Sequence, residues 1–113
     1  MNNPDRVRVR HMRDAAHEAI SFVKDRSRDE LARDRMLLLS LVKELEIIGE
    51  AAGKISQELK LAFPQVPWVT AAGMRNRLIH AYFDISADVV WSTVQEDLPA
   101  LVERLDQVLA SEA

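Results

Sequence analysis

Residues 37–59 read LLLSLVKELEIIGEAAGKISQEL, and two apolar stripes run through them at helical spacing. Leu38, Val42, Leu45, Ala52, Ile55 and Leu59 form one stripe, while Leu37, Leu41 and Ile48 form another. The period predicts a second helix that begins at the Ser27 cap and runs as far as Leu61. A surface helix buries one stripe. Two stripes require either a central place in a bundle or a second subunit on the outer one. Gly49 and Gly53, at roughly 1 kcal/mol each relative to Ala in a helix interior, predict close helix packing or a bend.

Upstream, Pro4 suits an early helical position, and Val9, Met12, Ala16, Ile20 and Val23 recur every three or four residues, which gives a first helix. Ser27 followed by Glu30 reads as a capping box. Downstream, Phe63-Pro64-Gln65-Val66-Pro67 breaks the pattern, because each proline disfavours helix at the residue before it. A third helix is predicted from Pro67 or Trp68 to Ala81 or Tyr82. A fourth follows the cap at Ser86, and a fifth the cap at Asp97, with Pro99 in its first turn and a stripe of Leu98, Leu101, Val102, Leu105, Val108 and Leu109. Strand-length alternation is absent. The prediction is an all-α fold, a small antiparallel helical bundle of about five helices with a long bent second helix. Residues 1–113 read as one domain, without repeat or linker.

The composition narrows the function. A chain of 113 residues with 48% hydrophobic and 29% charged residues, 3 Gly and 4 Pro is neither disordered nor low-complexity. Its 0 Cys exclude a disulfide framework and a thiolate zinc site and fit a reducing cytoplasm. The Arg-rich start lacks the apolar core of a signal peptide, and no run approaches about 18 apolar residues, so a cytoplasmic location away from membranes is expected. A net charge of −3 argues against wrapping nucleic acid over the whole surface, so any RNA site must be local. Folding at this length buries roughly two thirds of the unfolded surface, which makes self-association an expectation.

Residues 74–82, MRNRLIHAY, concentrate the groups capable of chemistry. On a wheel that takes the third helix through Tyr82, Arg75 at zero has Tyr82 at about −20°, Asn76 at about 100° and His80 at about 140°. Ala71, Met74, Leu78 and Ala81 gather between about 240° and 320° as the core face. Ile79 falls in the polar wedge, where a partner subunit is the simplest cover. Read from the residues alone, His80 is either a catalyst or a satisfied structural histidine, and Arg75 a phosphate ligand or an ion-pair partner. Tyr82 alone reads as a half-buried aromatic at a helix end. Arg77 reads as a rim charge. Arg6, Arg8, Arg10, His11 and Arg13 form either an RNA-facing patch or a solvated face paired to Asp14 or Glu18. Trp68 and Trp91 read as core anchors. His11, His17 and His80 have no metal-ligand spacing, and no phosphate-binding glycine loop occurs, so neither metal nor cofactor is expected.

Arg75, four residues, His80, one residue and Tyr82 make R-x4-H-x-Y, with the polar Asn76 after the arginine. Together with Ile48-Gly49-Glu50-Ala51, Pro67-Trp68, Val90-Trp91 and Asp97-Leu98-Pro99, this resembles the HEPN superfamily. Within it, the likeness is to the HepT-like toxins of MntA–HepT toxin–antitoxin systems, over nearly the whole chain. The resemblance implies a metal-independent endoribonuclease acting as a homodimer, with Arg75 and His80 of both subunits lining one cleft and Asn76 supporting them. Its substrates would be cellular transfer or messenger RNA. It also implies that an MntA-like minimal nucleotidyltransferase antitoxin adds AMP to Tyr82, as partner of the homodimer or of a larger hetero-oligomer. The rival reading is a non-catalytic adaptor that docks such a nucleotidyltransferase. Whether His80 is needed for toxicity separates the two.

Overall fold

The structure is a computed structural model that describes residues 1–81 and 84–111, with the side chains at 79, 80, 81 and 84 left outside that description. Its helices are α1 (Asn3–Phe22), α2 (Arg28–Arg33), α3 (Arg35–Gly53), α4 (Gln57–Ala62), α5 (Trp68–Ala72), α6 (Met74–Leu78), α7 (Ala87–Ser92) and α8 (Leu98–Ala110). A two-stranded ribbon, β1 (Ile79–Ala81) with β2 (Asp84–Ile85), sits between α6 and α7. The expected all-α bundle is the architecture, and the ribbon is its one departure among the described residues. No described helix is long and apolar enough to cross a membrane.

The first helix starts where Pro4 predicted. Asn2 accepts the N–H of Asp5 at 2.7 Å, and Val9, Met12, Ala16 and Val23 are buried with Ile20 packed against them. The long second helix is instead three helices, because two residues inside the predicted span act as caps. Asp34 accepts the Leu37 N–H at 3.0 Å, and Ser56 accepts the Leu59 N–H at 3.2 Å. A side chain that satisfies the next turn's orphan donors starts a new helix more cheaply than it continues the old one. Ser56 is held in turn by Asp5, which accepts both its N–H and its hydroxyl, so the starts of α1 and α4 are tied together.

Helix α3 is central. It packs on α1 along one flank and on α5 and α6 along another, so Leu37, Leu41 and Ile48 are buried within the chain, as are Leu38, Val42 and Leu45. Its second stripe therefore needs no second subunit. Gly49 makes the close approach possible: a Cβ there would lie 3.2 Å from the carbonyl oxygen of Ala72. Helix α8 closes the opposite side of α1 with Leu98, Leu101, Leu105 and Val108.

The predicted fourth and fifth helices form a continuous rod. Ser86 caps it, accepting the Val89 N–H at 3.2 Å, but Asp97 caps nothing, since a π-helical stretch, Thr93–Asp97, carries the backbone from α7 into α8. Thr93 Oγ1 donates to the Val89 carbonyl at 2.7 Å, and Pro99 brings no N–H, so the α-helical ladder is interrupted where the wider turn forms. Trp68 is a core anchor whose Nε1–H donates to the Phe63 carbonyl at 2.9 Å. Trp91 packs only partly against the core.

Candidate functional site

Helix α6 presents its two faces as the wheel predicts for its own length. Met74 and Leu78, with Ala71 before them, enter the core, and Arg75, Asn76 and Arg77 are exposed. The third helix, however, does not reach Tyr82. It breaks at Gly73, the poorest helix former in the segment apart from proline, and ends at Leu78. There the Ser86 N–H donates to the Leu78 carbonyl at 2.9 Å, taking an acceptor that another helical turn would have used. The β-branched pair Ile79 and Ile85 opens the ribbon.

This changes the geometry of the motif. Arg75 and Asn76 are neighbours on α6, while His80 lies on β1, two residues beyond the helix, so the expected helical relation of Asn76 to His80 does not hold. The same ending removes Ile79 and Ala81 from the wheel. Tyr82 lies outside the described residues, as do the side chains of Ile79, His80 and Ala81.

Arg75 is 51% exposed, and its Nε–H donates to Glu46 Oε1 on α3 at 3.0 Å. Arg77 turns to the rod and pairs with Asp97 at 3.5 Å, which suits the rim charge expected of it. Nothing in the sequence alone pairs Glu46 with Arg75. Its signal there was its place one helical turn before Gly49, but only the crossing of α3 with α5 shows which residue it meets.

The N-terminal arginines serve the fold where their contacts are described. Arg8 Nη1 donates to the Lys54 carbonyl at the end of α3, and Arg13 joins Asp14 at 2.8 Å and Asp106 of α8 at 3.0 Å. Both aspartates hold the Arg13 guanidinium above its ordinary range, the Asp106 hydrogen bond most strongly. His11 lines a groove of about 580 Å³ between α1 and α3 with Val7, Ile47 and Glu50, and Arg75 does not line it. Among the described residues no cluster of His, Asp or Glu is placed to hold a metal ion.

Besides Asp5, which Ser56 satisfies, a second carboxylate is buried inside the bundle. Glu44 of α3 is 5% exposed and hydrogen-bonded to Glu18 of α1, and its Oε2 has no partner among the described residues. Burial first, and the Glu18 carboxylate second, push its pKa up to about 7.

Known proteins share this chain's pattern. The sequence model of the family described as "Ribonuclease HepT-like" matches residues 12–108. "Putative RNase MJ1380" of Methanocaldococcus jannaschii is 37% identical over 95 residues, covering 84% of this chain and 87% of that one. "Probable ribonuclease HepT" of Thermococcus cleftensis is 36% identical over 95 residues, covering 80% and 86%. "Putative RNase TTE0752" of Caldanaerobacter subterraneus is 33% identical over 104 residues, covering 92% and 93%. No solved structure matches the chain. With a family model that spans residues 12–108, a helical bundle and relatives that align along most of their own length, the chain belongs to the HepT-like ribonuclease family.

Proposed function

We propose that the protein is the toxin of a toxin–antitoxin pair, a metal-independent endoribonuclease that cuts transfer or messenger RNA at a site completed by a second copy of the chain. The observation that carries this reading is the intact R-x4-H-x-Y motif inside a family match spanning residues 12–108. Arg75 on an exposed helix face can meet a phosphate, and its guanidinium keeps its charge throughout the reaction. Imidazole, with an ordinary pKa of about 6.5, moves protons near neutral pH. His80 takes the proton of the 2′-hydroxyl, whose oxygen attacks phosphorus. The bond to the 5′-oxygen breaks, and the histidine of the other copy returns a proton to that leaving oxygen. The products are a 2′,3′-cyclic phosphate and a 5′-hydroxyl.

Two copies suit this division of labour, since one histidine cannot be base and acid at once. Apolar residues exposed on α3 and α5 offer surface for the second copy: Leu39 lies two turns before Glu46 on the same face, Met36 is 81% exposed and Val69 83%. Silencing follows from Tyr82, two residues beyond His80. An adenylyl group added there by a minimal nucleotidyltransferase brings bulk and negative charge to the R-x4-H-x-Y motif, where a negative group competes with the RNA phosphate for cationic side chains. Purified protein incubated with total RNA in EDTA, beside His80→Ala, tests the reaction. Fragments ending in cyclic phosphate from the wild type alone support it, and intact RNA from both folded proteins favours the adaptor reading. Mass spectrometry after coexpression with such a nucleotidyltransferase tests the modification, and absence of an AMP mass on Tyr82 removes it.

A further inference from the structure

Arg75 and Glu46 meet because of how two backbones cross. Gly49 of α3 faces the Ala72 carbonyl of α5, at a spacing that leaves a Cβ only 3.2 Å from that oxygen. Three residues back along α3 is Glu46, and three residues on from Ala72 is Arg75, so the antiparallel crossing sets these two side chains opposite each other one turn from the contact. Leu45 and Ile48, on either side of Glu46, are fully buried, which fixes the backbone that carries the carboxylate. A long, half-exposed arginine would otherwise sample many rotamers.

The bond uses a particular edge of the guanidinium. Glu46 Oε1 accepts from Nε, on the side of the fork, so of the guanidinium edges that can donate to two phosphate oxygens together it leaves the terminal one, with its two Nη groups, for an anion. A carboxylate beside an RNA-binding arginine also works against RNA affinity, because it repels the phosphate that the arginine attracts. Its presence therefore suits orientation better than binding. We infer that Glu46 is a positioning residue for Arg75, holding the Nε edge through the Gly49–Ala72 crossing so that the Nη edge meets the scissile phosphate. The inference rests on the ribonuclease reading above.

Steady-state cleavage of total cellular RNA in EDTA, with wild type, Glu46→Ala, Glu46→Gln and Arg75→Ala, tests it. Glu46→Ala is expected to lose about tenfold in kcat with apparent KM unchanged or lowered, because orientation is lost and a repelling charge removed. Glu46→Gln keeps an acceptor oxygen in place and is expected within about threefold of wild type. Adding Glu46→Ala to Arg75→Ala costs nothing further. If Glu46→Ala cuts like the wild type, or its loss lies in KM alone, the positioning role is overturned while the ribonuclease reading stands. If the wild type leaves RNA intact, the ribonuclease reading falls and the role of Glu46 falls with it. The pair is partly exposed, so all four proteins are expected to give the same helical circular dichroism and unfolding midpoints within a few degrees.

Discussion

The helices α1, α3 and α8 and the short pieces α5, α6 and β1 are built on different economies. In the first region stability comes from interlocked apolar side chains, and Met12, Leu41, Leu45 and Leu105 are fully buried. In the second, α5 and α6 have five residues each, too short to be stable helices alone, and Ala71, Met74 and Leu78 anchor them on α3. Their outer faces carry Arg75, Asn76 and Arg77, joined to the body by half-exposed ion pairs. The bundle holds the place of the candidate site, whose partly exposed pairs add little to the bundle.

That contrast makes its sharpest prediction as a crossing of effects. Leu45→Ala opens a cavity between α3 and its neighbours and is expected to lower unfolding free energy by about 2–5 kcal/mol in urea titration. Arg75→Ala removes a partly exposed pair and is expected to stay within about 1 kcal/mol of wild type. RNA cleavage should reverse the ranking, falling by about two to three orders of magnitude for Arg75→Ala, as when a donor to developing charge is deleted. Equal stability losses from the two variants would erase the division between the regions.

A smaller effect comes from a carboxylate buried inside the core. Glu44 holds its proton to about pH 7 in the fold, against an ordinary value near 4.5, because burial and then Glu18 disfavour its charge. The folded state therefore binds more protons, and this contribution to stability is complete below pH 4.5 and is lost as pH rises to about 7. Glu44→Gln keeps the shape and cannot ionise. It should leave stability at pH 4 nearly unchanged, raise it by about 1–3 kcal/mol at pH 8, and flatten the profile between. Parallel wild-type and variant profiles would show that Glu44 does not hold its proton above the ordinary carboxylate range in the fold.

The two regions also differ in how far they could be read from the chain. Apolar period marks the buried faces of α1, α3 and α8, since burial of a stripe is what a long helix needs for stability. Ser27, Ser56 and Ser86 carry cap chemistry in their own side chains, yet at Ser56 and Asp34 the apolar stripe continues through and hides the caps. At the candidate site, R-x4-H-x-Y points to Arg75 and His80 without their geometry. The wheel assumed a helix through Tyr82, whereas the acceptor at Leu78 is taken by the Ser86 N–H, a contact eight residues away. Glu46 stayed hidden for the same reason: its partner is set by a helix crossing 29 residues along the chain.

Gly49→Ala sets the two regions against each other with the smallest expected change in stability. Alanine gains up to about 1 kcal/mol of helix propensity over glycine, which favours the variant. Against this, the new Cβ sits 3.2 Å from the Ala72 oxygen and 3.5 Å from that of Ala71, so α5 must retreat by a few tenths of an ångström. The two terms oppose, and the net change measured in urea is expected within about 1 kcal/mol of zero. Activity has no such compensation. A retreat of α5 carries α6 with it and loosens the approach of Arg75 to Glu46, and displacements of this order are costly where reacting groups must align. RNA cleavage by Gly49→Ala is therefore expected to fall about three- to tenfold while its unfolding curve stays near that of wild type. A second change, Glu46→Ala, then costs less in this background than in wild type, since both act on the same contact. If the two losses instead multiply, the helix crossing and the ion pair act independently, and Gly49 serves packing alone.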